Sequence, residues 1–223
     1  MTKINVLDKG FIEIKEIHGT DLTVVNGARV SMGKEVDEFT EKDSKLIDYL
    51  AKNKHYSPFR HCGILFHMKM PIFVMRQFVK HRFGVEINEI SGRYTEFNEN
   101  EYYTPEHFRF QSKDNKQGSE GEMTDGENVR NLILYTDSHK VAFDTYRRML
   151  DNGIAKEMAR MVLPVSIYTE IRVTMSLQAI QNFISLRDHS HAQWEIQKYA
   201  VAMKELAIEA FPYSMKALLE YSK

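Results

Sequence analysis

The sequence predicts a single α+β domain over residues 1–223, a mixed sheet with long helices packed on it. Three observations carry that expectation. Several short stretches alternate apolar and polar residues with period two, as strands do: "INVLDKG", "FIEIKEI", "GILFHMKM" and "VSIYTEIRVTMS". Longer stretches at 40–54, 126–152 and 191–211 instead place apolar residues at helical spacing. The 223 residues suffice for one sizeable core, and neither an internal repeat nor a linker divides them.

The first two alternating stretches flank Lys9 and Gly10, and read as two strands or one bent strand. A helix over 40–54 follows, with Thr40 as its N-cap and Leu46, Ile47, Leu50 and Ala51 on one face. A strand at 63–70 leads to Pro71, which opens a helix reaching about residue 82. Residues 111–127 carry one apolar side chain and three glycines, too little to offset the entropy of ordering, so a mobile loop is expected there. The long helix at 126–152 puts Leu132, Leu134, Tyr135, Val141, Ala142, Phe143, Tyr146 and Leu150 on its inner side and stops at Gly153. A short helix at 155–162 ends before Pro164, and a strand at 165–176 follows. Ser176 caps a helix running to about Arg187, and two amphipathic helices, 191–211 and 213–221, close the chain.

Composition excludes several classes. Lys plus Arg number 30 against 31 Asp plus Glu, so no global positive field favours nucleic acid or an acidic membrane surface. No apolar run approaches the ~20 residues that cross a bilayer as a helix. One cysteine, Cys62, cannot form an internal disulfide, and "MTKINVLDKGF" lacks the apolar run of a signal peptide, so a cytoplasmic location is expected. Cys62 lies at the entry of an apolar strand, where an inert buried thiol is commoner than a nucleophile. The pairs His189 with His191 and His61 with Cys62 have neither the helical nor the C-x-x-C spacing of a metal site, and no metal is expected. The glycine-rich dinucleotide and phosphate fingerprints and the hydrolase elbow are absent.

What remains is a basic, amide-rich concentration. "QFVKHRFGVEINEISGRY" brings Gln77, Lys80, His81 and Arg82 to a helix end, followed by Asn88, Glu89, Ser91, Gly92 and Arg93. Arginine forks, a serine hydroxyl and a glycine amide suit a phosphate. A solvated turn with ordinary ion pairs is the competing explanation. Two further arginines shift the balance. Arg160 ends the apolar run "EMARMVLP", and Arg187 follows Phe183, Ile184 and Leu186 at a junction carrying His191 and Gln193. An inward guanidinium needs a partner: Asp188, Glu195 or a bound anion.

Together these residues resemble the flavin-dependent thymidylate synthases. The family signature, an Arg-His-Arg triplet and then Asn-Glu-Leu-Ser-Gly-Arg-Tyr, appears as Lys80-His81-Arg82 and "NEISGRY"; "ARVSMG", "HYSPFRH", "PIFVMRQF" and "NFISLRDHSHAQWEIQ" also match in family order. The resemblance covers nearly the whole chain. It implies a homotetramer that binds FAD and dUMP at subunit junctions and methylates dUMP to dTMP, with NADPH and methylenetetrahydrofolate as co-substrates. It further implies nucleotide contacts at Gln77, Phe78, Val79, Lys80, Glu89, Ile90, Ser91, Gly92, Arg93, Arg160 and Arg187. Arg187 is the candidate catalytic group. Flavin contacts are implied at His55, Ser57, Lys80, His81, Arg82, Glu89, Ser176, Gln178 and Asn182.

Three departures accompany the likeness. Lys80 replaces an arginine and loses its bidentate fork. The spacer "FGVEINEI" has one residue more than the family signature, so a bulge is expected between His81 and Asn88. Arg60 stands where relatives often carry Glu. The competing outcomes are a pyrimidine hydroxymethylase acting on dUMP or dCMP, and a flavin- or nucleotide-binding homologue without catalysis.

Overall fold

The computed structural model describes residues 2–222. Its centre is a five-stranded sheet built from β1 (Lys3–Val6), β2 (Gly10–His18), β3 (Gly63–Pro71), β4 (Val85–Glu89) and a strand near the C-terminal third, Tyr168–Ser176. A separate small hairpin pairs β5 (Phe110–Gln111) with β6 (Ser119–Glu120), which makes the long strand β7. The order across the main sheet is β1-β2-β3-β7-β4. All four neighbouring pairs are antiparallel, so the expected mixed sheet is corrected to a purely antiparallel one. The β1–β2, β2–β3 and β4–β7 connections return the chain to the end of the sheet it left, as antiparallel neighbours allow, whereas β3 and β4 run parallel on either side of β7 and the segment between them crosses to the opposite end.

Alternation dictates the burial. Along β3, Ile64, Phe66, Met68 and Met70 have no exposed surface, and in β7 Ile171, Val173 and Met175 lie on the same face. Helices α1 (Asp21–Arg29), α2 (Glu41–Lys52), α3 (Ile72–Phe78), α6 (Leu177–Arg187), α7 (Trp194–Ala210) and α8 (Ser214–Glu220) contribute to the core over that face. Two further helices, α4 (Asp125–Asp151) and α5 (Lys156–Ala159), pack around a second, smaller cluster of Phe143, Tyr146, Ala159 and Ile167. Among the described residues no helix is long and apolar enough to cross a membrane.

Capping explains where the helices begin. Thr40 and Asp43 form a reciprocal capping box on α2, and Asp43, 1 % exposed, pairs with Arg29 of α1 at 2.6 Å. Thr124 and Glu127 cap α4 in the same way, and the Ser176 hydroxyl accepts from the Ala179 amide at the start of α6. Pro71 ends β3 and is itself the extended N-cap of α3, so the helix begins at Ile72, one position later than the expected start at Pro71. α3 closes at Phe78, earlier than expected.

The structure departs from the sequence expectation elsewhere. α1 was not anticipated, because Thr23, Val24, Val25 and Gly27 are poor helix formers. On α4, Leu134 and Val141 are 69 % and 65 % exposed rather than inward. At about 3.6 residues per turn both fall opposite His139, Phe143 and Tyr146, which are buried. The segment expected as a loop at 111–127 holds β6, part of β5 and the first residues of α4, and Gln111 Nε2 bridges to the carbonyl of Gly118 at 3.0 Å.

Gly10 marks the tightest approach in the sheet. A Cβ there would stand 2.0 Å from the Tyr199 hydroxyl and 2.8 Å from the Lys69 carbonyl, groups already hydrogen-bonded to each other at 2.6 Å. Gly10→Ala is expected to destabilise the fold by about 1–3 kcal/mol. Gly126→Ala, where a Cβ meets open space, should be neutral or stabilising by ~0.5 kcal/mol. Urea unfolding of the two variants checks the contrast.

Candidate active site

Where β4 ends, the chain turns over the smaller apolar cluster. The Ile90 amide donates to the Glu170 carbonyl at 2.9 Å, and the Tyr94 and Thr95 amides both donate to the Ser91 carbonyl at 3.0 Å. Gly92 is buried in this turn. A Cβ on it would stand 2.4 Å from the Phe97 ring and 3.1 Å from Cδ of Arg160, so the missing side chain lets the arginine stem lie against the backbone. The result is a cleft of about 300 Å³ whose polar wall is Glu89, Ser91, Gly92, Arg160 and Thr169, and whose apolar floor includes Ile72, Phe97 and Ile167. Five residues marked in the sequence, Glu89, Ile90, Ser91, Gly92 and Arg160, therefore meet although sixty-eight positions separate the last two. Thr169, not marked, donates its hydroxyl to Glu89 Oε1 at 2.6 Å. Its signal was a polar side chain at an inward position of an otherwise apolar strand face.

Arg187, at the end of α6, does not line this cleft. Its Nε donates to Nε2 of His81 at 3.0 Å, and the His81 ring stands edge-on to Phe183 with centroids 5.1 Å apart. Burial, with the Arg187 charge adding to it, pushes the imidazole down to a pKa of about 4. His81 is therefore neutral near pH 7, as accepting a hydrogen bond from a guanidinium requires. Both carboxylates weighed as partners of Arg187 are engaged elsewhere: Asp188 with Lys204 at 3.0 Å, Glu195 with Arg109 at 2.6 Å. Arg187 is oriented but not neutralised.

Gln77 makes a third contact point, its Nε2 donating to Oε1 of Gln193 at 2.6 Å. Phe78 is buried against Phe183, ring centroids 5.0 Å apart, and Val79 packs on the core, so these two offer a ligand only backbone. Arg93 is exposed and pairs with Glu157 at 3.2 Å.

The residues marked for flavin lie on the turns around the start of α6. Lys80 and Arg82 are exposed and form no ion pair among the described residues. His55 and Ser57 are exposed beside the short turn Pro58–His61, and Asn182 is half-buried. Ser176 is occupied in capping, and Gln178, 7 % exposed, accepts from Nε of Arg60 at 2.5 Å. The Arg60 guanidinium also lies 4.9 Å from the Phe83 ring, so an amide and an aromatic face absorb its charge. The expected bulge between His81 and Asn88 is absent from β4, which pairs with β7 in continuous register from Val85 to Glu89. The slack lies ahead of the strand, where Gly84 takes φ of 67°. Unpaired cations beside an available amide fit an elongated anionic dinucleotide such as FAD.

Cys62 stands apart from all of this. It is 2 % exposed, donates weakly to the Thr20 carbonyl at 3.5 Å, and burial pushes its pKa up to about 11. Such a thiol is a poor nucleophile.

The fold and this set of cations define a class. The family model described as "Thymidylate synthase complementing protein" matches residues 14–213. A flavin-dependent thymidylate synthase of Kosmotoga olearia is 44 % identical over 220 residues, covering 99 % of this chain and 94 % of the relative. One from Thermus thermophilus is 44 % identical over 218 residues, covering 98 % and 78 %. Among solved structures, the UMP/dUMP methylase PolB from Streptomyces cacaoi, bound with 5-Br dUMP, superposes with a TM-score of 0.85 at 33 % identity over 98 % of both chains. The chain belongs to the flavin-dependent thymidylate synthase family.

The neutral His81 is directly testable. Its imidazole, followed by NMR, is expected to titrate near pH 4, and Arg187→Ala should move the midpoint upward only in part, since burial is the larger cause. Below the unfolded-state value of 6.5 the unfolded chain takes up a proton that the folded one refuses. His81 therefore lowers stability as pH falls from about 6.5 to about 4, and the loss should be absent in His81→Gln.

Proposed function

We propose that the chain is a thymidylate synthase that converts dUMP to dTMP by reductive methylation in the cytoplasm, with FAD as cofactor, NADPH as reductant and methylenetetrahydrofolate as one-carbon donor. The observation that carries the reading is Arg187, a partly buried guanidinium held in place by a neutral imidazole and, among the described residues, by no carboxylate. It keeps its full charge for a ligand.

Each residue then has a stated task. Arg160, with the Ser91 hydroxyl and the Gly92 backbone, binds the nucleotide phosphate. Glu89 has one oxygen committed to Thr169, leaving the other to accept from a sugar hydroxyl or a flavin N–H. Arg187 lies against the pyrimidine, where a fixed cation favours the ionised N3 and raises electron density at C5. Activation of C5 in this way needs no cysteine nucleophile. His81 orients Arg187 by accepting from Nε. Lys80, Arg82, His55, Ser57 and Asn182 hold the flavin, which supplies hydride chemistry when bound. Assembly as a homotetramer brings these groups together at subunit junctions.

Incubation of the protein with dUMP, methylenetetrahydrofolate, NADPH and FAD is expected to give dTMP, identified by mass. A hydroxymethyl product would replace this reading with the hydroxymethylase one, and a colourless protein that takes up no FAD would remove both. Arg187→Ala should lower turnover by about 10²-fold or more, and Cys62→Ala should leave it nearly unchanged; comparable losses contradict the assigned roles.

The phosphate assignment has its own measurement. Arg160→Ala should weaken dUMP binding about 10- to 100-fold by calorimetry, the loss of one charge-assisted contact. Gly92→Ala should weaken it as well, by displacing the arginine stem and the Phe97 ring.

A further inference from the structure

We infer that Glu195, a carboxylate to which the family resemblance assigns no ligand contact, is a positioning residue that sets the orientation of the Gln77 amide through Gln193. The inference rests on the reading of Gln77 as a nucleotide contact. Glu195 is 3 % exposed at the start of α7 and accepts three hydrogen bonds: from Arg109 at 2.6 Å, from Gln193 Nε2 at 2.8 Å and from the Tyr103 hydroxyl at 3.3 Å. Gln193 in turn accepts through Oε1 from Nε2 of Gln77 at 2.6 Å.

The direction of this chain follows from its charged end. An ionised carboxylate only accepts, so Gln193 must turn its NH₂ toward Glu195 and its carbonyl toward Gln77. Gln77 must then present its own NH₂ to Gln193. That leaves the Gln77 carbonyl and one N–H for the ligand. A glutamine amide alone can flip at little cost, exchanging donor for acceptor; anchored to a buried charge it cannot, because each reversal would oppose two acceptors or two donors. The burial of Glu195 accounts for the anchor's strength, since a carboxylate taken out of water needs the Arg109 pair and both neutral donors. Arg109 also donates through Nε to Ser119 at 2.9 Å, so the same carboxylate ties the β5–β6 hairpin to the nucleotide-binding face.

The test is a double-mutant cycle read as the dUMP dissociation constant in the FAD-loaded protein. Glu195→Gln keeps the shape and removes the charge that sets the polarity, and should weaken dUMP binding about 3- to 10-fold. Gln193→Leu cuts the chain while leaving the Arg109 pair intact, and should do the same even where Glu195→Gln folds poorly. In a Gln77→Ala background neither change should weaken binding further. Losses that multiply with that of Gln77→Ala would overturn the relay. Full dUMP affinity in Gln77→Ala would overturn its nucleotide end. Failure of the wild-type protein to form dTMP while the cycle stays non-additive would instead count against the proposed reaction, and the relay would stand as a nucleotide-positioning device.

Discussion

The pairing of β3 with β7 is the constraint on which the rest of the molecule depends. Nine residue pairs run in unbroken register from Gly63 opposite Ser176 to Pro71 opposite Tyr168. Helix α3 leaves this ladder from the Pro71 end and α6 from the Ser176 end. They meet over the buried face where Phe78 and His81 both touch Phe183. That meeting places Arg187 against His81. On its other side β7 pairs with β4, and the register that puts Glu89 opposite Ile171 also brings Glu89 to Thr169 at the rim of the cleft. A one-residue slip in any of these ladders would turn the inward row outward and separate every polar group discussed above.

The polar groups divide into two kinds by how they are satisfied. Asp43, Glu195 and Asp188 each have a cationic partner within the chain, and they fix helices in place. Lys80, Arg82 and Arg187 have no ion-pair partner among the described residues, and Arg187 donates only to the neutral His81. Structural ion pairs close on themselves, whereas the second group keeps its charge uncancelled, as the proposed binding role requires. In the cleft beside Arg160, Glu89 engages one oxygen with a threonine hydroxyl rather than with an arginine. This segregation, more than the number of charges, separates a binding site from a solvated charged turn.

The strands β3 and β7 were legible because each alternates strictly, with Ile, Phe, Met and Val against polar residues, and both lie in the middle of the sheet. The caps Thr40 and Ser176 were legible from side-chain chemistry alone. β4 was hidden by its own composition: Val85 and Ile87 alternate correctly, but Glu86, Asn88 and Glu89 made the stretch read as a charged turn. The paired segments of β5 and β6 are two residues each, shorter than any periodicity can register. On α4 the apolar residues form two stripes, and no count of them says which faces the core; His139, bonded to Ser166 at 2.6 Å, marks the inner one and is polar. In the site, each residue of the cleft's polar wall carried a signal, yet its separation from Arg187 within one chain did not. That separation depends on where α5 and α6 end in space.

The neutral imidazole behind Arg187 has a thermodynamic consequence. A carboxylate would have both aimed the guanidinium and cancelled it; His81 only aims it. Among the described residues the guanidinium therefore keeps its full charge, and an anion that reaches it displaces no internal ion pair. The free energy of such an encounter goes to holding the anion rather than to breaking a pair the chain already contains.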